Sequence, residues 1–343
     1  MKKKLFLFIL AALTMLTLVA CTGASSNTND DGNEQIFQFS YDCIIGINRD
    51  VCTDADITLP SVSDEGQAIT EIGGSAFAGD TLLTSIVIPE GVTSIGYQSF
   101  KDCTSLKSVT LPSTLVAINE KAFEGCTSLE TINFPESLEI IEKQAFSRCN
   151  ALTAIHIPQK TTAIGENALS TGPAMTSITV AEGNKYYRSE NNCLIDLRWG
   201  SIILGCGTSV IPTDGSITFI SNYAFSQTSI SSVTIPDSVD SIGSGAFSGC
   251  TSLTNITLSN ELTQIGYAAF YGCTQLESIT LPKSLESLGS MAFAECANLK
   301  DVYFNDVQSH WRYIENWGGG NPFDTTVCTI HCTDGSFSSD SER

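Results

Sequence analysis

The chain has 343 residues, and its 17 Lys and Arg against 37 Asp and Glu give a formal net charge of −20 at neutral pH. A surface of this sign repels nucleic acid and anionic lipid headgroups, which argues against a nucleic-acid-binding protein. The 13 cysteines would be unusual in a cytosolic enzyme, whereas outside the membrane disulfides become possible. We therefore expect an acidic, extracytoplasmic protein.

The first twenty residues have the features of a bacterial export signal. Lys2–Lys4 precede an apolar run from Leu5 to Ala20, and the small residue Ala20 stands before Cys21, as in a lipobox. The run has 16 residues, fewer than the roughly 20 that a membrane-spanning helix needs, so an uncleaved anchor is the less favoured alternative. We expect residues 1–20 to be a lipoprotein signal peptide and Cys21 to be the lipidated N-terminus, anchored in a bacterial membrane.

Two short regions follow the signal. Residues 21–35 contain no large apolar side chain and cannot bury enough surface to offset the entropy of ordering, so they predict a flexible tether. Residues 36–72 contain the alternating segment Ile36–Tyr41 and the run Ile57-Thr-Leu59-Pro60. These patterns predict short strands in an N-terminal cap.

Residues 73–305 repeat with a period of 23. Within one unit, Leu106-Lys-Ser-Val109-Thr-Leu111-Pro112 alternates with period two and predicts a strand that the proline ends. A Val-x-x-Ile-Gly portion predicts a second short extended segment, and the Ala-Phe turn that follows predicts a brief helical or 3₁₀ element. Such a period is the signature of a leucine-rich repeat solenoid with a parallel β-sheet, which grows linearly and needs no second domain. One unit position is occupied by Phe77, Phe100, Phe123, Phe146, Leu169, Phe225, Phe247, Phe270 and Phe293.

The repeat is interrupted at residues 181–218. Two apolar runs, Cys193–Leu197 and Ser201–Leu204, flank Arg198-Trp199-Gly200 and predict a hairpin insertion that projects from the solenoid. Residues 306–343 leave the repeat pattern again and include Trp311 and Pro322. They predict a C-terminal cap and tail.

The coils resemble the BspA-type leucine-rich repeat family, of which Glu277–Cys296 (ESITLPKSLESLGSMAFAEC) is a close copy. The resemblance covers nearly all of Ile36–Cys332. Departures include Asp80 in place of cysteine, Leu169 in place of phenylalanine and Ser259 in place of proline. The resemblance implies a cell-surface protein that attaches to host matrix proteins or to other bacteria, and it does not identify a ligand.

The cysteines fall into two groups. Cys103, Cys126 and Cys149 recur every 23 residues, as do three cysteines near the C-terminus, so each trio forms an internal column. Adjacent parallel strands hold their Cβ atoms farther apart than a disulfide allows, which favours buried free thiols. The pairs that could close surface loops are Cys43 with Cys52 and Cys193 with Cys206.

The motif Cys328-Thr-Ile-His331-Cys332 invites a zinc site, but on a strand His331 would face away from both cysteines. A capping strand is the favoured interpretation. We find no nucleophile elbow, zinc-protease motif, phosphate-binding loop or dinucleotide fingerprint. The sequence therefore predicts no catalytic residue, no metal and no cofactor.

The outward positions of the predicted sheet are small, hydroxylated and nearly uncharged. Threonine suits exposed strands, so this pattern has a purely structural explanation as well. Asn133 and His156 interrupt the threonine column close in sequence to the insertion, which is rich in aromatic residues and arginine, the usual interface anchors. The candidate ligand-binding residues are Asn133, His156, Tyr186, Tyr187, Arg188 and Trp199.

Three functions compete. The leading one is a non-enzymatic adhesion or scaffold protein of the bacterial cell surface that binds an extracellular protein or a glycan. The second is an ice- or glycan-lattice-binding solenoid, because threonine ladders can match a lattice. The third is a surface hydrolase that uses acidic residues such as Asp54 and Asp56.

Overall fold

The structure is a computed structural model that describes residues 35–169, 172–317 and 321–340. The predicted signal peptide, the predicted lipidation site Cys21 and all but residue 35 of the predicted tether lie outside the described residues. The chain forms a parallel β-solenoid of about ten coils of about 23 residues each, with almost no helix. The predicted leucine-rich solenoid is therefore confirmed.

The coils up to the insertion contain thirteen short strands. In chain order they are β1 (Phe37–Ser40), β2 (Cys43–Ile47), β3 (Asp56–Thr58), β4 (Glu71–Ile72), β5 (Ser85–Val87), β6 (Ser94–Ile95), β7 (Ser108–Thr110), β8 (Ala117–Ile118), β9 (Thr131–Ile132), β10 (Ile140–Ile141), β11 (Ala154–Ile157), β12 (Ala163–Ile164) and β13 (Ser177–Val180).

The remaining elements are thirteen strands and one helix. They are β14 (Tyr187–Glu190), β15 (Cys193–Asp196), β16 (Ser201–Leu204), β17 (Phe219–Ile220), β18 (Ser232–Thr234), β19 (Ser241–Ile242), β20 (Asn255–Thr257), β21 (Gln264–Ile265), β22 (Ser278–Leu281), β23 (Ser287–Leu288), β24 (Asp301–Phe304), α1 (Gln308–Trp317), β25 (Thr329–Cys332) and β26 (Gly335–Ser338).

Each regular coil contributes strands to two rows. The Leu-x-x-Ile-x-Ile portions form the long-strand row, which includes the sheets β3-β5-β7-β9, β11-β13, β18-β20 and β22-β24-β25-β26. The Val-x-x-Ile portions form the short-strand row, with the sheets β1-β2-β4-β6-β8-β10-β12 and β14-β15-β16-β17-β19-β21-β23. Equivalent residues pair in register, as Ile95 does with Ile118. Because both rows break near the insertion, the solenoid has a first stack before it and a second stack after it.

The repeated phenylalanines stack in a column inside each part of the solenoid. The rings of Phe100 and Phe123 are parallel within 5° with their centroids 5.0 Å apart, and both side chains are fully buried. In the second stack, Phe247 and Phe270 are 5.4 Å apart. Parallel packing adds roughly 0.5–1.5 kcal/mol per pair beyond the burial of apolar area. The register predicted from the 23-residue period is confirmed.

The column cysteines are buried free thiols, as predicted. Each donates a hydrogen bond to the main-chain carbonyl of the stacked phenylalanine in the preceding coil, for example Cys126 Sγ to Phe100 O at 3.1 Å. Among the described cysteines, Cys43, Cys193 and Cys206 are also free. The crosslinks considered for the two loops, Cys43 with Cys52 and Cys193 with Cys206, are therefore not formed.

Antiparallel strands close the two ends. At the N-terminus β1 pairs antiparallel with β2, which then runs parallel to β4. At the C-terminus β26 pairs antiparallel with β25, while Trp311 of α1 is buried against the rings of Phe304 and Phe323. His331 bonds Asp301 and Ser336 rather than the neighbouring cysteines. Each end of the parallel ladders is thus covered.

Candidate functional site

The insertion lies between the two stacks. Strands β15 and β16 form the predicted antiparallel hairpin, and β14 adds a third antiparallel strand beside β15, but every residue of β15 is buried. Leu194 packs in the core of the first stack, whereas Cys193 and Ile195 pack in the core of the second. The prediction that the hairpin projects from the solenoid is wrong, because consecutive apolar residues bury both faces of a strand. The turn Leu197–Trp199 is exposed, and the Trp199 side chain is 75% exposed.

The insertion also supplies hydrogen-bond partners to the last strands of the first stack. In the long-strand row, Ile178 N–H donates to Asn192 Oδ1 at 3.3 Å, and Val180 N–H donates to Ser189 Oγ at 3.1 Å. In the short-strand row, Ile164 N–H donates to the Tyr187 hydroxyl oxygen at 2.8 Å. Side chains therefore replace the strand that would otherwise continue each ladder.

Arg198 connects this segment to the surface. Its guanidinium forms a bidentate pair with Asp196, with Nε–Oδ1 at 2.9 Å and Nη2–Oδ2 at 2.6 Å. It also donates to the Tyr187 hydroxyl at 2.6 Å and to Thr162 O at 3.2 Å, and it lies 5.5 Å from the Tyr186 ring centroid. The hydrogen bonds that Arg198 donates to Asp196 raise the pKa of Arg198 above its ordinary value, so the charged form is favoured.

The predicted site residues fall into two separate groups. Asn133 and His156 are exposed on the long-strand row, where His156 Nδ1 and Thr179 Oγ1 are 2.9 Å apart. The aromatic residues of the insertion instead adjoin the short-strand row through Tyr187 and Arg198. Among the described residues, no hydrogen bond or ion pair joins the two groups. The structure therefore does not assemble them into one site.

Within the insertion, the predicted residues differ in accessibility. Trp199 is 75% exposed and Tyr186 is 37% exposed, but Tyr187 is only 1% exposed. Burial raises the pKa of the Tyr187 hydroxyl, which is engaged by Ile164 N–H and Arg198. Arg188 pairs with Glu190 at 2.7 Å and donates to Ser216 at 2.6 Å. Tyr187 and Arg188 consequently have internal structural partners.

Sequence reasoning missed Arg198. The available signal was the Asp196-x-Arg198 spacing at a hairpin turn, which allows a charged pair two residues apart. The choice between Arg188 and Arg198 depended on which strand face each would occupy. That information comes from how the insertion is packed between the stacks.

Two adjoining cavities lie beside the insertion on the short-strand row. The larger has a volume of about 450 Å³ and is lined by Ile140–Lys143, Ala163–Gly165 and Arg198. The smaller, of about 220 Å³, lies between Gly165–Leu169, Ile203 of the insertion and Phe219 of the second stack. The two share Ile164 and Gly165, and we call them together the seam groove. At its rim, Lys143 Nζ and Glu166 Oε2 are 3.2 Å apart, so these charges offset each other.

The groups that could support catalysis have other roles. Burial raises the pKa of the Cys103 thiol to about 12, which suppresses the nucleophilic thiolate. Hydrogen bonds from Ser85 and Thr84 lower the pKa of Asp56, opposite to the shift that a general acid needs. In the described ranges, no group of three or more metal-ligating side chains occurs, and no helix is long and apolar enough to cross a membrane.

The stacked coils, ring column and solvent-accessible groove define a leucine-rich repeat solenoid protein. The family described as "BspA type Leucine rich repeat region" matches in six copies, at residues 70–193 and 218–316. The chain belongs to this family, which confirms the resemblance found in the coils. The break between the two matched ranges falls on the insertion.

Solved structures show the same fold. A leucine-rich cell surface protein from Faecalibacterium prausnitzii is 27% identical with a TM-score of 0.53, covering 82% of this chain and 96% of that one. A leucine-rich repeat protein from Eubacterium ventriosum is 25% identical with a TM-score of 0.55, covering 75% of this chain and 61% of that one. The pneumococcal vaccine antigen PcpA is 21% identical with a TM-score of 0.61, covering 78% of each chain, and shares the fold. A comparison with curated proteins found no match.

Proposed function

We propose that this chain is a non-enzymatic lipoprotein of the bacterial cell surface that binds an extracellular protein or glycan. Family membership and the likeness to a protein named as a leucine-rich cell surface protein support the location. The lipobox ending at Cys21 supports a lipid anchor. The binding role is supported chiefly by the exposed aromatic turn at Trp199.

The turn that carries Trp199 is held in a defined conformation. Arg198 N–H donates to Asp196 Oδ1 at 2.9 Å, and Thr218 N–H donates to Gly200 O at 2.8 Å. Gly200 has a φ of +60°, which glycine adopts without strain. A large aromatic side chain on a rigid turn loses little conformational entropy on binding, which favours its use as an interface anchor.

Tyr186 and Arg198 extend this surface toward the seam groove. The guanidinium lies near the Tyr186 ring, and it keeps that position through its pair with Asp196. Aromatic residues with arginine are enriched among interface hot spots. The proposed contact surface therefore consists of Trp199, Tyr186 and Arg198. The buried Tyr187 hydroxyl positions Arg198 by accepting its hydrogen bond.

The long-strand row is a second surface of this proposal, with Asn133 and His156 as its candidate contacts. Its side chains are short and mostly uncharged, which suits extended proteins or glycans. The row is divided into separate sheets on either side of the insertion. This division weakens the lattice-binding alternative, because a lattice requires an unbroken periodic surface.

The experiment compares binding of the full-length chain and its variants to arrays of extracellular-matrix proteins and glycans. We expect Trp199→Ala with Tyr186→Ala to reduce binding at least tenfold, as for typical hot-spot residues. Tyr267→Ala is the matched control, because Tyr267 is 51% exposed on the second stack, away from the insertion. Equal binding by the double variant and the control would show that the aromatic turn is not the contact surface.

Lipid anchoring has a separate test. Cells that express the chain are fed a radiolabelled fatty acid, and the purified protein is examined for label. We expect label on the wild type and on Cys43→Ser, but none on Cys21→Ser. Label retained by Cys21→Ser would exclude this lipidation site.

A further inference from the structure

The turns that carry the stacked rings are joined by a regular hydrogen-bond ladder. In each regular coil, the ring residue and the residue two before it donate their N–H groups to carbonyls of the next coil. Thus Gln98 donates to Glu120 O at 3.1 Å, and Phe100 donates to Ala122 O at 2.7 Å. The ladder recurs at Ser75 and Phe77, Lys121 and Phe123, Gln144 and Phe146, Tyr223 and Phe225, Gly245 and Phe247, Ala268 and Phe270, and Met291 and Phe293.

The ladder stops at one coil. Among the described residues, the N–H groups of Asn167 and Leu169 have no hydrogen-bond acceptor, although they occupy the same two unit positions. Asn167 has a φ of +56°, close to the +57° of its counterpart Gln144, so the turn itself is regular. Leu169 is only 3% exposed. Unpaired amides at so buried a turn are rare in native proteins and call for a partner.

The chain after the insertion explains the break. In the next coil, Gly205 occupies the position that a stacked phenylalanine has in the regular coils. Its N–H donates to Ala224 O at 2.7 Å, just as Phe100 N–H donates to the residue before Phe123. A side chain at Gly205 would clash with the Phe225 ring. Leu169 and Gly205 thus leave two successive ring positions without a ring, and the smaller cavity of the seam groove lies beside Leu169.

Hydrogen bonds join the two stacks next to this cavity. Asn222 Nδ2 donates to Glu166 Oε1 at 2.8 Å, and Ser229 Oγ donates to Pro173 O at 3.4 Å, so side chains bridge the stacks. The cavity of about 220 Å³ is far larger than a single water needs. Leu169, Ile203 and Phe219 give it apolar walls beside the two amides.

We propose that this cavity binds an extended peptide segment. Two main-chain carbonyl oxygens, two residues apart, accept the N–H groups of Asn167 and Leu169, and an apolar side chain of the peptide packs against Leu169, Ile203 and Phe219. The partner class follows from the other coils, where the same two amides meet two main-chain carbonyls two residues apart, except at Met291 and Phe293, whose acceptors Asn321 and Pro322 are adjacent. The offset charges of Lys143 and Glu166 favour an uncharged segment. Binding completes the interrupted ladder, as in other cases of main-chain recognition at an open edge.

This site differs from the exposed turn in the proposed function. Trp199 does not line the smaller cavity, whose walls are inner residues of both stacks. Loss of adhesion through Trp199→Ala would therefore leave peptide binding intact. The two proposals can fail independently.

The test uses N-acetyl-alanyl-leucine methylamide, which carries an apolar side chain and carbonyls with the required spacing. The full-length chain is labelled with ¹⁵N-leucine, and the Leu169 amide resonance is followed during titration. We expect a saturable shift at Leu169, with the leucine amides of coils away from the cavity, such as Leu106 and Leu276, unchanged. A reduced probe of the same shape, in which trans-alkenes replace the two outer amide groups so that no charge is introduced, should bind about tenfold more weakly, because it lacks both acceptors.

Two variants complete the design. Leu169→Phe places a ring in the cavity, as in the neighbouring coils. It should abolish the shifts that the probe causes in the amide resonances of leucines near the cavity. Trp199→Ala should bind the probe as the wild type does. A Leu169 amide that does not respond, responds equally to the reduced probe, or responds only to N-acetylglucosamine oligomers would overturn the proposal. The reduced probe keeps the test decisive if Leu169→Phe does not fold.

Discussion

The first and second stacks share one internal design but differ on their turn surfaces. In the first stack, charged side chains link successive turns, as Lys101 does with Glu124 and Arg148 with the same Glu124. Between residues 219 and 300 of the second stack, the described residues form no ion pair, and Tyr267 donates instead to Met291 Sδ at 3.2 Å. The ring column is equally regular in both stacks. The interior therefore sets the fold, and the outer turn positions are free to differ.

The strongest test of the shared interior removes one ring from each stack. We expect Phe123→Ala and Phe270→Ala each to lower the free energy of unfolding by about 3–5 kcal/mol, because both rings are fully buried between two others. Urea unfolding followed by circular dichroism measures both losses. A large loss for one variant and almost none for the other would show that the stacks do not share this packing.

A smaller effect is expected where the insertion caps the first stack. Tyr187→Phe removes the oxygen that accepts from Ile164 N–H and Arg198. We expect this substitution to lower the free energy of unfolding by about 1–3 kcal/mol, because a buried donor loses its partner. Tyr186→Phe is the matched control, with an exposed ring and an expected change near zero. Similar losses for both variants would argue against the capping role.

The thiol columns predict the same alkaline sensitivity in both stacks. Burial raises the pKa of Cys103 in the first stack and of Cys296 in the second to about 12, from an ordinary value of 9.0. The folded state then keeps protons that the unfolded state loses, so this stabilisation is complete below pH 9 and declines as pH rises toward 12.

Serine does not titrate in this range and keeps a hydroxyl donor. Between pH 9 and 11, Cys103→Ser and Cys296→Ser should each reduce the pH slope of the unfolding free energy by about 1.4 kcal/mol per unit. Urea unfolding at several pH values measures the slopes. Wild-type slopes in both variants would mean that neither thiol is buried in its protonated form.

The smallest expected effect concerns the surface difference itself. Lys143 and Glu166 are about half exposed, so Lys143→Met should change stability by only about 0–1 kcal/mol at low salt and by nothing measurable in 1 M salt. In the second stack, Tyr267→Phe should show no such salt dependence. Thermal unfolding at low and high salt measures both effects. If salt changed the stability difference from the wild type equally for the two variants, the stacks would not differ in surface electrostatics.

The sequence predicted most of the repeating structure, because the 23-residue period carries it directly. The strand positions, the stacked rings and the buried thiols all follow from residues that recur at fixed spacing. The hairpin was also predicted, from two apolar runs around Arg198-Trp199-Gly200. Its burial was not, because the sequence does not show that Leu194 and Ile195 face two different cores.

The seam groove could not be predicted from the repeat pattern. Gly205 occupies a ring position, yet its distance from Leu169 is not a multiple of the period, and glycine carries no apolar signal. Tyr187 looked like an anchor because aromatic residues are common at interfaces, whereas the structure uses its hydroxyl to cap a strand edge. Both roles depend on contacts between distant coils.

Hydrogen exchange at single amides tests the break between the stacks most directly. In the free protein, we expect the amides of Asn167 and Leu169 to exchange much faster than those of Gln144 and Phe146, which donate to the next coil. Equal and strong protection of all four amides would show that the ladder continues across the insertion and would contradict the two-stack description.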